Sequence, residues 1–151
     1  MYSITELLSI TPLFKGLNPA ELGPFAAVCT DRVLRANAVL FNEGDPGGEL
    51  FMVAEGILEV HKPFIGKVNV LEAGAYLGDI SLLDGAPRTA TVIALTDSRV
   101  MCLTQADFER LCAAQPAIGY RVMRNIAHEL IARLLDKEER LADLQTKIPR
   151  E

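Results

Sequence analysis

The residues best equipped for chemistry lie between Leu77 and Val92, in the run Leu-Gly-Asp-Ile-Ser-Leu-Leu-Asp-Gly-Ala-Pro-Arg-Thr-Ala-Thr-Val. The pattern reads as a Gly-led turn, one short helical turn, a Gly/Pro corner, and a strand entered through Arg88. Gly78 permits close backbone approach to whatever lies over it. The amides of Ile80, Ser81 and Leu82 open the helical turn. They are expected to lack intrahelical partners and to offer donors and partial positive charge to an anion. Arg88 adds a planar, always-charged fork suited to phosphate oxygens. Asp79 is a poor phosphate ligand but a good acceptor for a sugar hydroxyl. Together these groups suit a small molecule carrying one phosphate and one ribose.

Each residue also has a plain structural reading. An arginine at a strand start is usually a solvated surface residue. Asp79 could simply cap the helical turn, since Asp is a good cap. Thr89 could be a β-branched strand residue and nothing more. Thr91 has the wrong parity to share a face with Arg88 and is read as structural.

The stretch resembles the phosphate-binding cassette of the cyclic nucleotide-binding domain family. That family includes catabolite-activator-type regulators, protein kinase regulatory subunits and cyclic-nucleotide-gated channels. Its pattern is roughly Phe-Gly-Glu, a small apolar helical turn, then Pro-Arg-(Ala/Thr)-Ala-(Thr/Ser)-Val. Leu77-Gly78-Asp79 and Pro87-Arg88-Thr89-Ala90-Thr91-Val92 fill those places, with Asp79 nine residues before Arg88. Asp79 departs from the family's usual Glu, one methylene longer. The resemblance implies ligand-binding roles for Gly78, Asp79, Ile80, Ser81, Leu82, Pro87, Arg88, Thr89 and Ala90. The phosphate would lie on the Ile80, Ser81 and Leu82 amides and Arg88, and the ribose 2′-hydroxyl on Asp79. The base would lie under a long C-terminal helix, where Arg133 is placed to cap it. A Thr after the arginine can reach a purine in the syn form, which favours guanine without excluding adenine.

The elements that must hold this stretch follow from the rest of the chain. Residues 3–10 read as a short helix with Leu7, Leu8 and Ile10 as core contacts. Asn18-Pro19-Ala20-Glu21 is a strong helix start, with an Asn cap, Pro at the first position and an acid three after the cap. That helix carries Leu22, Phe25, Ala26 and Val28, and Gly23-Pro24 predicts a kink or break within it. From Asp31 to Leu103 short strands alternate with Gly, Pro and Asn turns, at 32–36, 39–41, 50–54, 57–61, 67–71, 89–95 and 99–103, which indicates a β-sandwich or barrel. Gly44-Asp45-Pro46-Gly47-Gly48, Gly56 and Gly74 match the family's turns. Asn37 stands where Gly is common, which left-handed backbone tolerates. Met52 stands at a position that is often aromatic. Thr104-Gln105-Ala106-Asp107 resembles a capping box with Asp for Glu, and Phe108, Leu111 and Cys112 face inward on the helix it starts. After Gln115-Pro116 a long helix runs from Ala117 to about Lys147. On it Met123, Ala127, Leu130, Leu134, Lys137, Leu141, Leu144 and Ile148 form a coiled-coil seam with one polar position. The expected fold is mainly β with flanking helices: a double-stranded β-helix (jelly-roll) barrel with N-terminal helices and a long C-terminal helix. One domain is expected over 1–151, with helices in 3–29, the barrel in 31–103 and C-terminal helices in 105–147. The resemblance extends from Leu7 to about Leu144.

Composition narrows the function. The chain has 151 residues, 50% hydrophobic and 23% charged, with net charge −5. That acidity disfavours nucleic acid or an anionic membrane as the main partner. No apolar run reaches the roughly 18 residues of a membrane span, and no secretory signal opens the chain. Cys29, Cys102 and Cys112 are an odd count without metal spacing, so reduced thiols in the cytoplasm are expected. His61 and His128 are isolated and predict no metal or haem. With no nucleophile–base pair and no P-loop, no enzyme is expected, and no cofactor. A chain ending at Glu151 leaves no room for a helix-turn-helix, so direct DNA binding is not expected. The resemblance implies a regulatory sensor for cAMP or cGMP that acts through its own homodimer or an unknown downstream protein. Two alternatives stay open: a scaffold of the same fold that binds no nucleotide, and the detached sensory half of a transcription regulator.

Overall fold

A computed structural model of the protein describes residues 2–147. The N-terminal helices are α1 (Ile4–Ile10), capped by the Ser3 hydroxyl, and α2 (Pro19–Val28). A 3₁₀ turn at Pro12–Phe14 joins them. At Asn18 both halves of the capping box form: the Asn18 side chain accepts from the Glu21 amide, and the Glu21 carboxylate accepts from the Asn18 amide. Of the kink or break predicted at Gly23-Pro24, the break does not occur: α2 runs on through both residues. Pro24 removes one backbone donor, and the Leu22 and Phe25 side chains flanking it anchor the helix in the core. Ile10, expected in the core, is 45% exposed, whereas Leu7 and Leu8 are fully buried.

Eight strands follow: β1 (Thr30–Leu34), β2 (Val39–Phe41), β3 (Glu49–Glu55), β4 (Leu58–Lys62), β5 (Gly66–Leu71), β6 (Tyr76–Leu77), β7 (Thr91–Ala94) and β8 (Ser98–Thr104). They form two antiparallel four-stranded sheets, ordered β1-β8-β3-β6 and β2-β7-β4-β5. The sheets do not close by hydrogen bonding into the expected barrel; they face each other as a sandwich or roll. Asn37 adopts the left-handed conformation at φ 72°, as its place in the turn requires.

Alternation along β3 and β8 divides the core in two. Leu50, Met52 and Ala54 on β3 and Met101 and Leu103 on β8 face the helices. Phe51, Val53, Val100 and Cys102 face the other sheet, with Leu58, Val92 and Ala94. These two strands are buried on both faces and join the layers. Met52 takes an apolar place in the helix-side core, as expected.

Three further helices complete the chain: α3 (Asp79–Asp84), α4 (Gln105–Ala114) and α5 (Pro116–Lys147). The Thr104 hydroxyl caps α4 by accepting from the Asp107 amide, while the Asp107 carboxylate accepts from Arg110. Phe108 is buried, with Leu111 and Cys112 packed beside it. On α5 the buried residues Ile118, Val122 and Ile126 recur every four positions and lay the helix against the core. Of the expected seam, Met123, Ala127, Leu134, Lys137, Leu141 and Leu144 are exposed, and Leu130 is half-buried against the core. Ile148 lies outside the described residues.

Candidate functional site

A cleft of about 330 Å³ opens between α3, the strand entry at 86–92, the β4–β5 hairpin and α5. Its centre is Arg88. Two short backbone bonds seat this residue: its amide donates to the Asp45 carbonyl at 2.9 Å, and its carbonyl accepts from the Gly44 amide at 2.8 Å. The Gly-rich turn at 44–48 therefore grips the arginine's own backbone. Gly47 fits only because it lacks a side chain, for a Cβ there would lie 1.9 Å from the Ala86 carbonyl oxygen. Ser81 Oγ completes the brace, accepting from the Gly48 amide at 2.6 Å and donating to the Ala86 carbonyl at 3.0 Å.

The Arg88 guanidinium is 6% exposed. Its Nη1 donates to the Glu49 carbonyl at 3.1 Å, and its plane lies over the Phe41 ring at 4.4 Å and the Phe51 ring at 5.4 Å. Nε and Nη2 are buried and have no acceptor. Burial pushes its pKa downward, against the attraction of Glu49. An arginine remains charged under such a pull. It therefore holds a positive charge with two unspent donors at the cleft. Gly78, at φ 90°, makes the approach possible, since a Cβ would stand 2.5 Å from the Glu49 carbonyl oxygen and 2.9 Å from Arg88 Nη1.

The other expected residues divide. Gly78, Asp79, Ile80, Ser81, Pro87, Arg88, Thr89, Ala90 and Arg133 all line the cleft. Leu82 does not. Its amide donates to the Gly78 carbonyl at 2.9 Å and its side chain is fully buried, so the expectation of a free Leu82 amide is corrected. It is the first amide of the turn to reach a carbonyl four residues back, which is where α-helical bonding begins. Thr91 is structural, its hydroxyl accepting from the Glu43 amide at 3.0 Å.

Asp79 and Arg133 meet directly, the Arg133 Nη2 donating to Asp79 Oδ2. The aspartate side chain is 5% exposed and the arginine 47%. One turn earlier on α5, Glu129 Oε2 accepts from the Tyr76 hydroxyl at 3.3 Å. Burial, with Asp79 and Glu129 nearby, pushes the Tyr76 hydroxyl up to about 12, so it stays a donor at neutral pH. Two contacts one turn apart thus pin the middle of α5 to the β6–α3 segment. No donor among the described residues reaches Asp79 Oδ1, which leaves that oxygen an acceptor to spend.

Several supporting residues escaped the sequence reading. Glu49 accepts from Arg88 through its carbonyl and from the Cys102 thiol through Oε2 at 2.8 Å. Burial and this carboxylate push Cys102 up to about 12, which keeps it a thiol. Phe41 and Phe51 carry the guanidinium, and Tyr76 holds α5. Nothing local in the sequence ties Phe41 or Phe51 to Arg88. His61 Nε2 lies 3.7 Å from Glu59 Oε2, and no cluster suited to a metal ion occurs among the described residues. No helix among them is long and apolar enough to cross a membrane.

Residues 31–115 match the family model described as a cyclic nucleotide-binding domain. Over 126 residues, 82% of its length, the chain is 36% identical to a cyclic nucleotide-gated potassium channel of Mesorhizobium japonicum, and it spans 34% of that channel. Among solved structures it superposes on the catabolite activator protein of Thermus thermophilus with a TM-score of 0.78 at 29% identity, covering 89% of this chain and 63% of that one. A transcriptional regulator's N-terminal domain from Streptomyces coelicolor A3(2) gives a TM-score of 0.78 at 30% identity, covering 84% of this chain and 94% of that one.

Proposed function

This chain belongs to the cyclic nucleotide-binding domain family, and from that premise we propose that it is a regulatory module whose Arg88 cleft binds cAMP or cGMP. The observation that carries the reading is the buried Arg88 guanidinium with Nε and Nη2 unspent. A buried, charged donor pair without an acceptor is costly unless an anion completes it. A cyclic phosphate carries one negative charge and two free oxygens, which suits that fork. The Ile80 and Ser81 amides, at the start of α3, add donors on the same side. Asp79 Oδ1 accepts from the ribose 2′-hydroxyl, while Arg133 holds the other carboxylate oxygen. The module acts by binding rather than by catalysis. Its output passes through α5, which Asp79 and Tyr76 tie to the cleft: a ligand that engages Asp79 bears directly on the helix. Calorimetry with cAMP and cGMP tests the reading, and ligand at 100 times Kd should add about 2.7 kcal/mol to stability. Absence of heat and of stabilisation at millimolar concentration of both would leave the nucleotide-free scaffold in its place.

Asp79→Ala should weaken binding by about tenfold or more, a neutral-to-charged hydrogen bond being worth roughly 1.5–3 kcal/mol. It should also erase the preference for a ribose ligand over its 2′-deoxy counterpart. Asp79→Glu should hold or raise affinity. A titration of the 2′-deoxy ligand against all three proteins reads this out, and an undiminished ribose preference in Asp79→Ala would count against the assignment.

We also propose a homodimer through α5. Leu134, Leu141 and Leu144 are 57%, 59% and 60% exposed on one helix face, continuing the seam that starts at Met123. Pairing this face with a second copy would remove it from water, with Lys137 fixing the register. Sedimentation at micromolar concentration should give about twice 16.5 kDa. The double change Leu141→Asp, Leu144→Asp should yield a folded monomer, and a wild-type monomer that persists with ligand present would refute the dimer.

A further inference from the structure

One wall of the cleft is formed by the β4–β5 hairpin, and the polar groups it presents there have one chemical character. Side chains alternate across a strand, so Leu58, Val60 and Lys62 share a face of β4, and Asn69 and Leu71 share the adjoining face of β5. Pairing places Leu71 opposite Leu58 and Asn69 opposite Val60. Leu58 is fully buried in the core between the sheets. The same face then leaves the core and becomes cleft wall, lined by Val60, Leu71, Asn69 and Lys62. Val60 and Leu71 thus offer apolar cover suited to a planar ring, and Lys62 and Asn69 line the same wall.

Both polar residues offer donors. Lys62 has an ammonium and no acceptor. Its neighbour Glu59 lies on the opposite face of β4 and is already approached by His61 at 3.7 Å and Lys67 at 3.7 Å. No carboxylate among the described residues pairs with Lys62. Asn69 could in principle donate and accept. Its Oδ1, however, accepts from the Val70 amide at 2.9 Å, which turns the NH2 group into its free end. Arg133, also in the cleft lining, is likewise donor-only and is paired with Asp79, the one carboxylate among the lining residues.

From this wall we infer that Lys62 and Asn69 select a 6-oxopurine, the guanine type of base, by donating to its O6 and N7; the inference rests on the cyclic-mononucleotide reading of the cleft. Guanine presents two acceptors on that edge, whereas adenine presents N7 beside an N6 donor. An N6 amino group against Lys62 sets donor against donor, and the mismatch costs affinity because neither group is satisfied. This selection is separate from any contact Thr89, also in the cleft lining, could make with a syn purine.

Titration of the full chain with cGMP, cAMP and cyclic IMP separates the possibilities. Cyclic IMP keeps O6 and N7 but lacks the 2-amino group. The expected result is that cGMP and cyclic IMP both bind about tenfold or more tighter than cAMP. In a Lys62→Ala, Asn69→Ala double variant, with folding checked by its melting profile, the preference should fall to about one. Three results overturn the inference while leaving the sensor reading intact: cAMP binding as tightly as cGMP, cyclic IMP grouping with cAMP, or a preference that survives the double change. Binding of none of the three at millimolar concentration overturns both.

Discussion

Replacing Arg88 with methionine should abolish most cyclic-nucleotide binding while leaving the ligand-free protein at least as stable as before. The two halves of this result have one cause. In the ligand-free state Arg88 is 6% exposed, and its Nε and Nη2 make no hydrogen bond. That arrangement costs the apo fold desolvation of a charge, offset in part by the Glu49 carbonyl and the two phenylalanine rings. Methionine keeps much of the stem that packs on Phe41 and removes the unsatisfied donors. With ligand bound the balance reverses. The phosphate loses two charge-assisted bonds worth about 1.5–3 kcal/mol each, so affinity should fall by roughly 10²-fold or more. Arg88→Lys should fall between, since it keeps the charge but not the fork. Paired calorimetry and thermal melts measure both halves. Binding of Arg88→Met within a few-fold of wild type would remove Arg88 from the phosphate site.

Gly47→Ala should be strongly destabilising. The new Cβ would lie 1.9 Å from the Ala86 carbonyl oxygen and 2.0 Å from Ser81 Oγ. The serine could rotate, at the cost of its bonds to Gly48 and Ala86. The carbonyl belongs to backbone between α3 and Arg88 and can yield only by moving that segment. Forced overpacking of this kind costs about 1–3 kcal/mol, or roughly 2–12 °C in Tm for a chain of this size. Because the displaced segment carries Pro87 and Arg88, nucleotide affinity should fall as well. Ser81→Ala in the same background should not rescue either loss, since it leaves the carbonyl clash in place. Gly23→Ala is the matched control. It lies on α2 with nothing beyond its chain neighbours within 4 Å of its Cβ, and its gain of about 0.5–1 kcal/mol in helix propensity is opposed by crowding against the Pro24 ring, so its stability should change little. Differential scanning calorimetry distinguishes the two, and a neutral Gly47→Ala would show that the turn at 44–48 does not brace the cleft.

What the sequence determined by itself was local. The Asn18 and Thr104 caps, the left-handed Asn37 and the Gly78 turn depend on residues within a few positions of each other, so their chemistry is legible in order along the chain. The cassette from Gly78 to Ala90 was legible for the same reason. The break expected at Gly23-Pro24 failed because tertiary burial of Leu22 and Phe25 outweighed a local preference. The Leu82 amide was misread because the onset of helical bonding depends on where the turn starts, to within one residue. Everything that makes the cassette into a site came from long-range packing. Arg88 finds Glu49 across 39 positions and Arg133 finds Asp79 across 54. Those meetings depend on how β3 sits beside the cassette and how Ile118, Val122 and Ile126 seat α5 on the core. Short strands at this spacing indicate a sandwich or barrel, but they do not decide between an open and a closed arrangement. Strands β3 and β8 are buried on both faces, so their apolar runs do not state which neighbours they hydrogen-bond. Pairing is decided by which edges meet once the two sheets and the helices have packed, and that is a property of the assembled tertiary structure alone.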